Sequence, residues 1–96
     1  MNIELVAREV ELTGEFQDRM EKKLERILER RNMEQPVRVQ VTENRGRFQT
    51  LITMHLHGKE VIGQAEEKNI FAALDDAVDK VDRQVRRIYD RLSQKR

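Results

Sequence analysis

The chain has 96 residues, with 19 lysines and arginines against 18 aspartates and glutamates, and no cysteine. That length supports one hydrophobic core and excludes a second domain, and the missing thiols exclude disulfides and thiolate metal centres. A net charge of +1 with 39% charged residues argues against indiscriminate attraction to polyanions, so any nucleic-acid contact must come from local sorting of charge.

Ile3 and Leu5 alternate with Asn2 and Glu4 and predict a short first strand. Thr13 stands where a helix N-cap belongs, with Glu15 in the first turn to complement the dipole. Phe16, Met20, Leu24, Ile27 and Leu28 follow at helical spacing and predict a helix from about Gly14 to Arg31. Asn32 can end it, and Pro36 blocks continuation. On this helix Arg19, Lys23, Arg26 and Arg30 fall in one stripe, with Glu21, Glu25 and Glu29 in a second.

Val37, Val39 and Val41 alternate with polar residues and mark a half-buried strand. Asn44-Arg45-Gly46-Arg47 is turn material, and Phe48 to Leu56 forms the next strand, with Ile52, Met54 and Leu56 on one face. His57-Gly58-Lys59 turns the chain again. Val61, Gly63 and Ala65 mark the inner face of a fourth strand, where the small residues would admit a helix at close range. Asn69 caps the last helix, and Phe71, Leu74, Val78, Val81, Val85, Ile88 and Leu92 form its seam at alternating spacings of three and four. Lys80, Arg83, Arg87 and Arg91 make a basic stripe on this helix, and Asp75, Asp79 and Asp82 an acidic one.

The order β-α-β-β-β-α predicts an α+β fold with a four-stranded sheet. A right-handed crossover makes the first two strands parallel, and short turns make the rest antiparallel. Only one face of each strand is strongly apolar, so both helices pack side by side on that face. Their basic stripes are then expected to border one groove. Val6, Leu51 and Ile62 fall on the other face as a small apolar patch.

Catalytic patterns are scarce. His55 and His57 form an H-x-H pair that a strand would point to one face, and a third ligand would have to come from a distant carboxylate such as Glu60 or Glu66. No nucleophile–base pair and no glycine-rich phosphate loop is recognisable. No metal, cofactor or small-molecule substrate is implied, and the chain reads as a non-enzyme. The cationic rows have a more direct use, since together they could reach about six phosphates, with a log–log salt slope of roughly −4 to −5. One tyrosine and three core-like phenylalanines leave little for base stacking, so the contact expected is with RNA backbone and shape.

No apolar run approaches a membrane span. Met1-Asn2-Ile3-Glu4 lacks the basic and apolar regions of a secretory leader, so the expected location is cytoplasmic.

Several segments resemble one family. They are Val10-Glu11-Leu12-Thr13, Lys23-Leu24-Glu25-Arg26, Ala65-Glu66, Asn69-Ile70-Phe71-Ala72-Ala73-Leu74-Asp75 and Asp79-Lys80-Val81-Asp82-Arg83-Gln84-Val85. Together they are similar to the ribosome hibernation promoting factors, also labelled sigma-54 modulation proteins. The resemblance covers residues 1–96 as a single ribosome-binding domain, in the short form without a further C-terminal domain.

It implies a factor that binds the small ribosomal subunit and its rRNA in the channel for messenger and transfer RNA. It further implies inhibition of translation in stationary phase or stress, with a separate ribosome modulation factor as a further partner. Lys23, Arg26, Lys80, Arg83 and Arg87 carry over as RNA-facing residues, and Arg30 and Arg91 extend the rows. Phe71 replaces the family's usual tyrosine, and Asp76, Asp82 and Asp90 make this helix more acidic than in many relatives. The older label leaves a regulatory protein–protein adaptor as the alternative.

Overall fold

The computed structural model describes residues 2–94, and local sequence signals account for most of its element boundaries. The elements are β1 (Ile3–Arg8), α1 (Gly14–Glu29), β2 (Val37–Asn44), β3 (Arg47–Leu56), β4 (Lys59–Glu67) and α2 (Ile70–Gln94). The Thr13 side chain accepts a hydrogen bond from Phe16 N at 3.1 Å, satisfying one orphan donor at the start of α1. Asn69 Oδ1 does the same for Phe71 N and Ala72 N at 2.8 and 3.1 Å.

Helix α1 stops at Glu29, two residues short of the predicted end. Asn32 adopts the left-handed conformation at φ 51°, and Met33 N donates back to Leu28 O at 2.8 Å. That carbonyl is thereby satisfied outside a regular helix, and the buried Met33 side chain holds the reversal. Strand β1 runs on to Arg8 because every residue from Ile3 finds a partner on β2.

The strand order is β1-β2-β3-β4, with β1 parallel to β2 and the other pairs antiparallel, as the element order implied. Both hairpins are two-residue turns with two positive φ values, 54° and 77° at Arg45-Gly46 and 51° and 76° at His57-Gly58. This turn shape matches strand twist. Phe16, Leu24 and Ile27 of α1 and Leu74, Val81 and Val85 of α2 join Val39, Val41, Ile52, Leu56 and Val61 of the sheet in one core. Phe48 and Phe71, expected in the core with Phe16, are only half-buried. Val6, Leu51 and Ile62 lie on the opposite face, which no helix covers, and Ile62 is 41% exposed.

Helix α2 lies closest to the sheet at Gly63. A Cβ built there would collide with the Ala77 carbonyl oxygen and approach Val81 Cγ2 to 2.7 Å. The helix also covers the outer edge of β4. Gln84 Oε1 accepts from Ile62 N at 3.1 Å, its Nε2 donates to Ile62 O, and Lys80 Nζ donates to Gln64 O at 2.7 Å. Side chains thus take the place of a fifth strand and blunt an edge that could otherwise template association.

Substituting Gly63→Val should therefore destabilise the fold by about 1–3 kcal/mol or more through overpacking against backbone that cannot move aside. Urea unfolding followed by circular dichroism measures it. A midpoint equal to that of the unsubstituted chain would contradict the close approach.

Candidate nucleic-acid interface

The rotation of α2 about its own axis decides where its charges point. Leu74, Ala77, Val78, Val81 and Val85 are buried against the sheet and α1. At 100° per residue, Asp75, Asp82 and Tyr89 then share one flank, while Lys80, Gln84, Arg87 and Arg91 share the other. Asp79, Arg83 and Asp90 are outermost. The hydrogen bonds from Lys80 and Gln84 to β4 identify the second flank as the sheet-edge side.

The acidic flank meets α1. The two helices run in the same direction, with Phe16 against Phe71 at one end (ring centroids 5.9 Å apart) and Arg31 beside Tyr89 at the other. Between them Arg19 makes a two-point contact with Asp75, Nε to Oδ1 at 3.2 Å and Nη2 to Oδ2 at 2.7 Å. Its guanidinium also lies 5.4 Å from the Phe71 ring centroid. Lys23 Nζ is 3.4 Å from Asp75, and Arg30 is 3.6 Å from Asp82. The α1 basic row is thus partly a docking strip for the α2 acidic row.

The expected groove bordered by two basic rows does not form. The apolar seam of α2 separates its acidic flank from its basic one, and the acidic flank faces α1. A basic row on α1 gains more there from opposite charges than from like ones.

The seven predicted contact residues divide accordingly. Lys23 and Arg30 hold α2 carboxylates, although 33% and 45% of their side-chain surfaces remain exposed. Lys80, expected to project to solvent, bonds the β4 edge and lies 3.9 Å from Asp76. Arg26, Arg83, Arg87 and Arg91 are exposed and form no ion pair among the described residues.

Two cations outside the sequence rows join them. Arg86 is exposed and reaches Asp82 at 3.0 Å, and the Arg31 guanidinium sits 4.9 Å from the Tyr89 ring centroid. Neither follows the spacing of a row, which is why periodicity passed over them. The segment Asp79–Val85 is largely structural: Val81 and Val85 fill the core, Lys80 and Gln84 clamp β4, and Asp82 meets Arg30 and Arg86. Within it, Arg83 is the exposed cation without an ion pair among the described residues.

The histidine pair is not a site. His55 faces the uncovered side of the sheet, 3.9 Å from Glu60, whereas His57 sits in the β3–β4 turn with its ring edge-on to Tyr89 at 5.5 Å. The left-handed turn at residue 57 breaks the strand alternation that would have aligned them.

Partial burial disfavours the charge of Asp75. The hydrogen bond from Arg19 and the positive charges of Lys23 and Arg19 outweigh that effect and hold its carboxyl below the usual range. The same hydrogen bond and the charge of Asp75 raise the Arg19 guanidinium.

Comparison with known proteins places this geometry in context. A profile of the family described as Sigma 54 modulation protein / S30EA ribosomal protein matches residues 3–93. A ribosome hibernation promoting factor of Azotobacter vinelandii is 28% identical over 85 residues, 88% of this chain and 79% of its own length. Its counterpart in Pseudomonas putida is 29% identical over 89 residues, 91% of this chain and 85% of its own. The crystal structure of the Thermus thermophilus Protein Y N-terminal domain matches with a TM-score of 0.82 and 32% identity, covering 92% of this chain and 99% of that one. A ribosomal subunit interface protein from Coxiella burnetii shares the fold, with a TM-score of 0.84, 21% identity, and coverage of 94% and 99%.

Because the folded-state pKa of Asp75 is lowered, its contribution to stability is complete above the unfolded value of about 3.9 and lost as pH falls through the folded value. The Asp75→Asn variant should therefore lose less stability than the unsubstituted chain between about pH 4.5 and pH 2. Thermal unfolding across that window measures the difference. Parallel curves would show that the Arg19–Asp75 contact does not couple to folding.

Proposed function

The chain belongs to the sigma 54 modulation protein / S30EA ribosomal protein family, and from that membership we propose a non-catalytic factor that binds the small ribosomal subunit and promotes hibernation. It occupies the channel for messenger and transfer RNA and stops translation by exclusion. Phosphate contacts supply the affinity, and the shape of the domain supplies the location. Curated relatives that share most of this chain carry the name ribosome hibernation promoting factor, which supports the assignment. A separate ribosome modulation factor is a further partner on this reading.

The observation that carries it is the set of exposed cations that the docked helices leave without an ion pair. Arg26, Arg83, Arg87 and Arg91 have no carboxylate partner among the described residues. A chain balanced at +1 overall therefore presents unpaired guanidinium groups to solvent on its helical side. Guanidinium is suited to phosphate because its planar donors can engage two oxygens at once. Lys23, Arg30 and Lys80 contribute through their exposed portions, secondary to their contacts within the fold.

Co-sedimentation of the purified chain with small subunits across a salt series tests the proposal. About four phosphate contacts give a log–log slope near −3 to −4, and Arg83→Glu with Arg87→Glu should flatten it by about two. Binding that ignores salt and survives both reversals, yet fails when Leu51 or Ile62 is made polar, would instead identify an adaptor acting through the uncovered sheet face.

A further inference from the structure

Helix α2 is longer than the strand beneath it. Its 25 residues span about 37 Å, whereas the nine residues of β4 span about 30 Å. The two elements run in opposite directions and are registered by Lys80 against Gln64 and Gln84 against Ile62. The last turns of the helix therefore pass over the His57-Gly58 turn and beyond it. The apolar seam does not stop there. Ile88 is half-buried and Leu92, 42% exposed, continues the seam with little beneath it.

Between this overhang and the turn lies a cleft of about 160 Å³, lined by His57, Lys59, Ile88, Arg91 and Leu92. Its walls combine two aliphatic side chains, an imidazole and two cations, with no carboxylate. Tyr89 braces the imidazole edge-on, its own ring 4.9 Å from the Arg31 guanidinium. His57 is held at φ 51°, the first position of a two-residue turn that favours asparagine or glycine. Histidine is among the side chains that tolerate this conformation, and the turn sets its ring into the cleft lining.

We infer that this cleft receives one unstacked nucleotide of an RNA strand. The inference rests on the RNA-binding reading above and gives that reading a base-contacting subsite. The base lies on His57 against Ile88 and Leu92, where apolar surface and a ring favour stacking. Lys59 and Arg91 take the flanking phosphates. The composition selects this occupant: an apolar peptide would leave the cations unused, and free phosphate would leave the aliphatic surface wet.

The chain has one tyrosine and two histidines, and Tyr89 touches His57, so a change in Tyr89 fluorescence that accompanies a shift of the His57 ring resonances reports on the cleft. The purified chain is titrated with tetrameric oligoadenylate, with an abasic ribose-phosphate tetramer of equal charge, and with inorganic phosphate. The expected result is saturable quenching and a His57 shift with oligoadenylate only, weakened about tenfold or more by Leu92→Glu. Equal responses to the abasic tetramer or to phosphate would overturn the base subsite, as would quenching unchanged in Leu92→Glu. Co-sedimentation of the same protein with small subunits separates the failures. Salt-sensitive binding without any quenching sinks the cleft alone, whereas loss of both sinks the ribosomal reading with it.

Discussion

The close approach of α2 to β4 at Gly63 governs the arrangement of the molecule. No side chain fits between that strand and the Ala77 carbonyl, so the helix axis lies unusually near the sheet at one point. Gln84 then fixes its rotation by bonding both backbone groups of Ile62. With position and rotation set, every charge on α2 has its direction. A helix packed only by greasy contacts could roll by tens of degrees at small cost, but one whose amide must meet a strand edge cannot.

From that rotation follows the partition of charge. The acidic flank of α2 turns toward α1, whose basic row closes over it through Arg19, Lys23 and Arg30. Exposed ion pairs of this kind are individually weak. Here they share Asp75 and Asp82, which are half-buried between the helices, and they accompany the Phe16–Phe71 contact. Their main consequence is orientational: they hold the acidic flank of α2 against α1. What remains outward on the helices is of both signs: Arg26, Arg83, Arg87 and Arg91, without an ion pair among the described residues, stand among exposed carboxylates such as Glu29, Asp79 and Asp90. A nearly neutral chain can still offer local cationic contacts, because its charges are paired at some places and free at others.

The C-terminal half of α2 combines these features. Both helices direct their C-termini to one end, where the negative ends of their dipoles favour cations such as Arg30, Arg31 and Arg91. The β3–β4 turn lies under the same end and brings His57 and Lys59 to it. Aliphatic surface and positive charge meet there because a helix seam outruns the sheet that covers it elsewhere.

The sequence by itself determined the elements and the topology, because the signals involved are local. Thr13 and Asn69 announce the helices, alternation at Val37, Val39 and Val41 announces a strand, and short turns allow only antiparallel neighbours. Gly63 was legible too, since a small residue on an inner strand face has little purpose but close packing. The two basic rows were equally visible as rows. Their destinations were not, because spacing along one helix says nothing of what lies opposite. Only the tertiary structure decided that Arg19 meets Asp75, that Lys80 and Gln84 serve the β4 edge, and that His57 leaves His55 for Tyr89. Those outcomes depend on how one element is rotated against another, a quantity set by contacts between residues far apart in the chain.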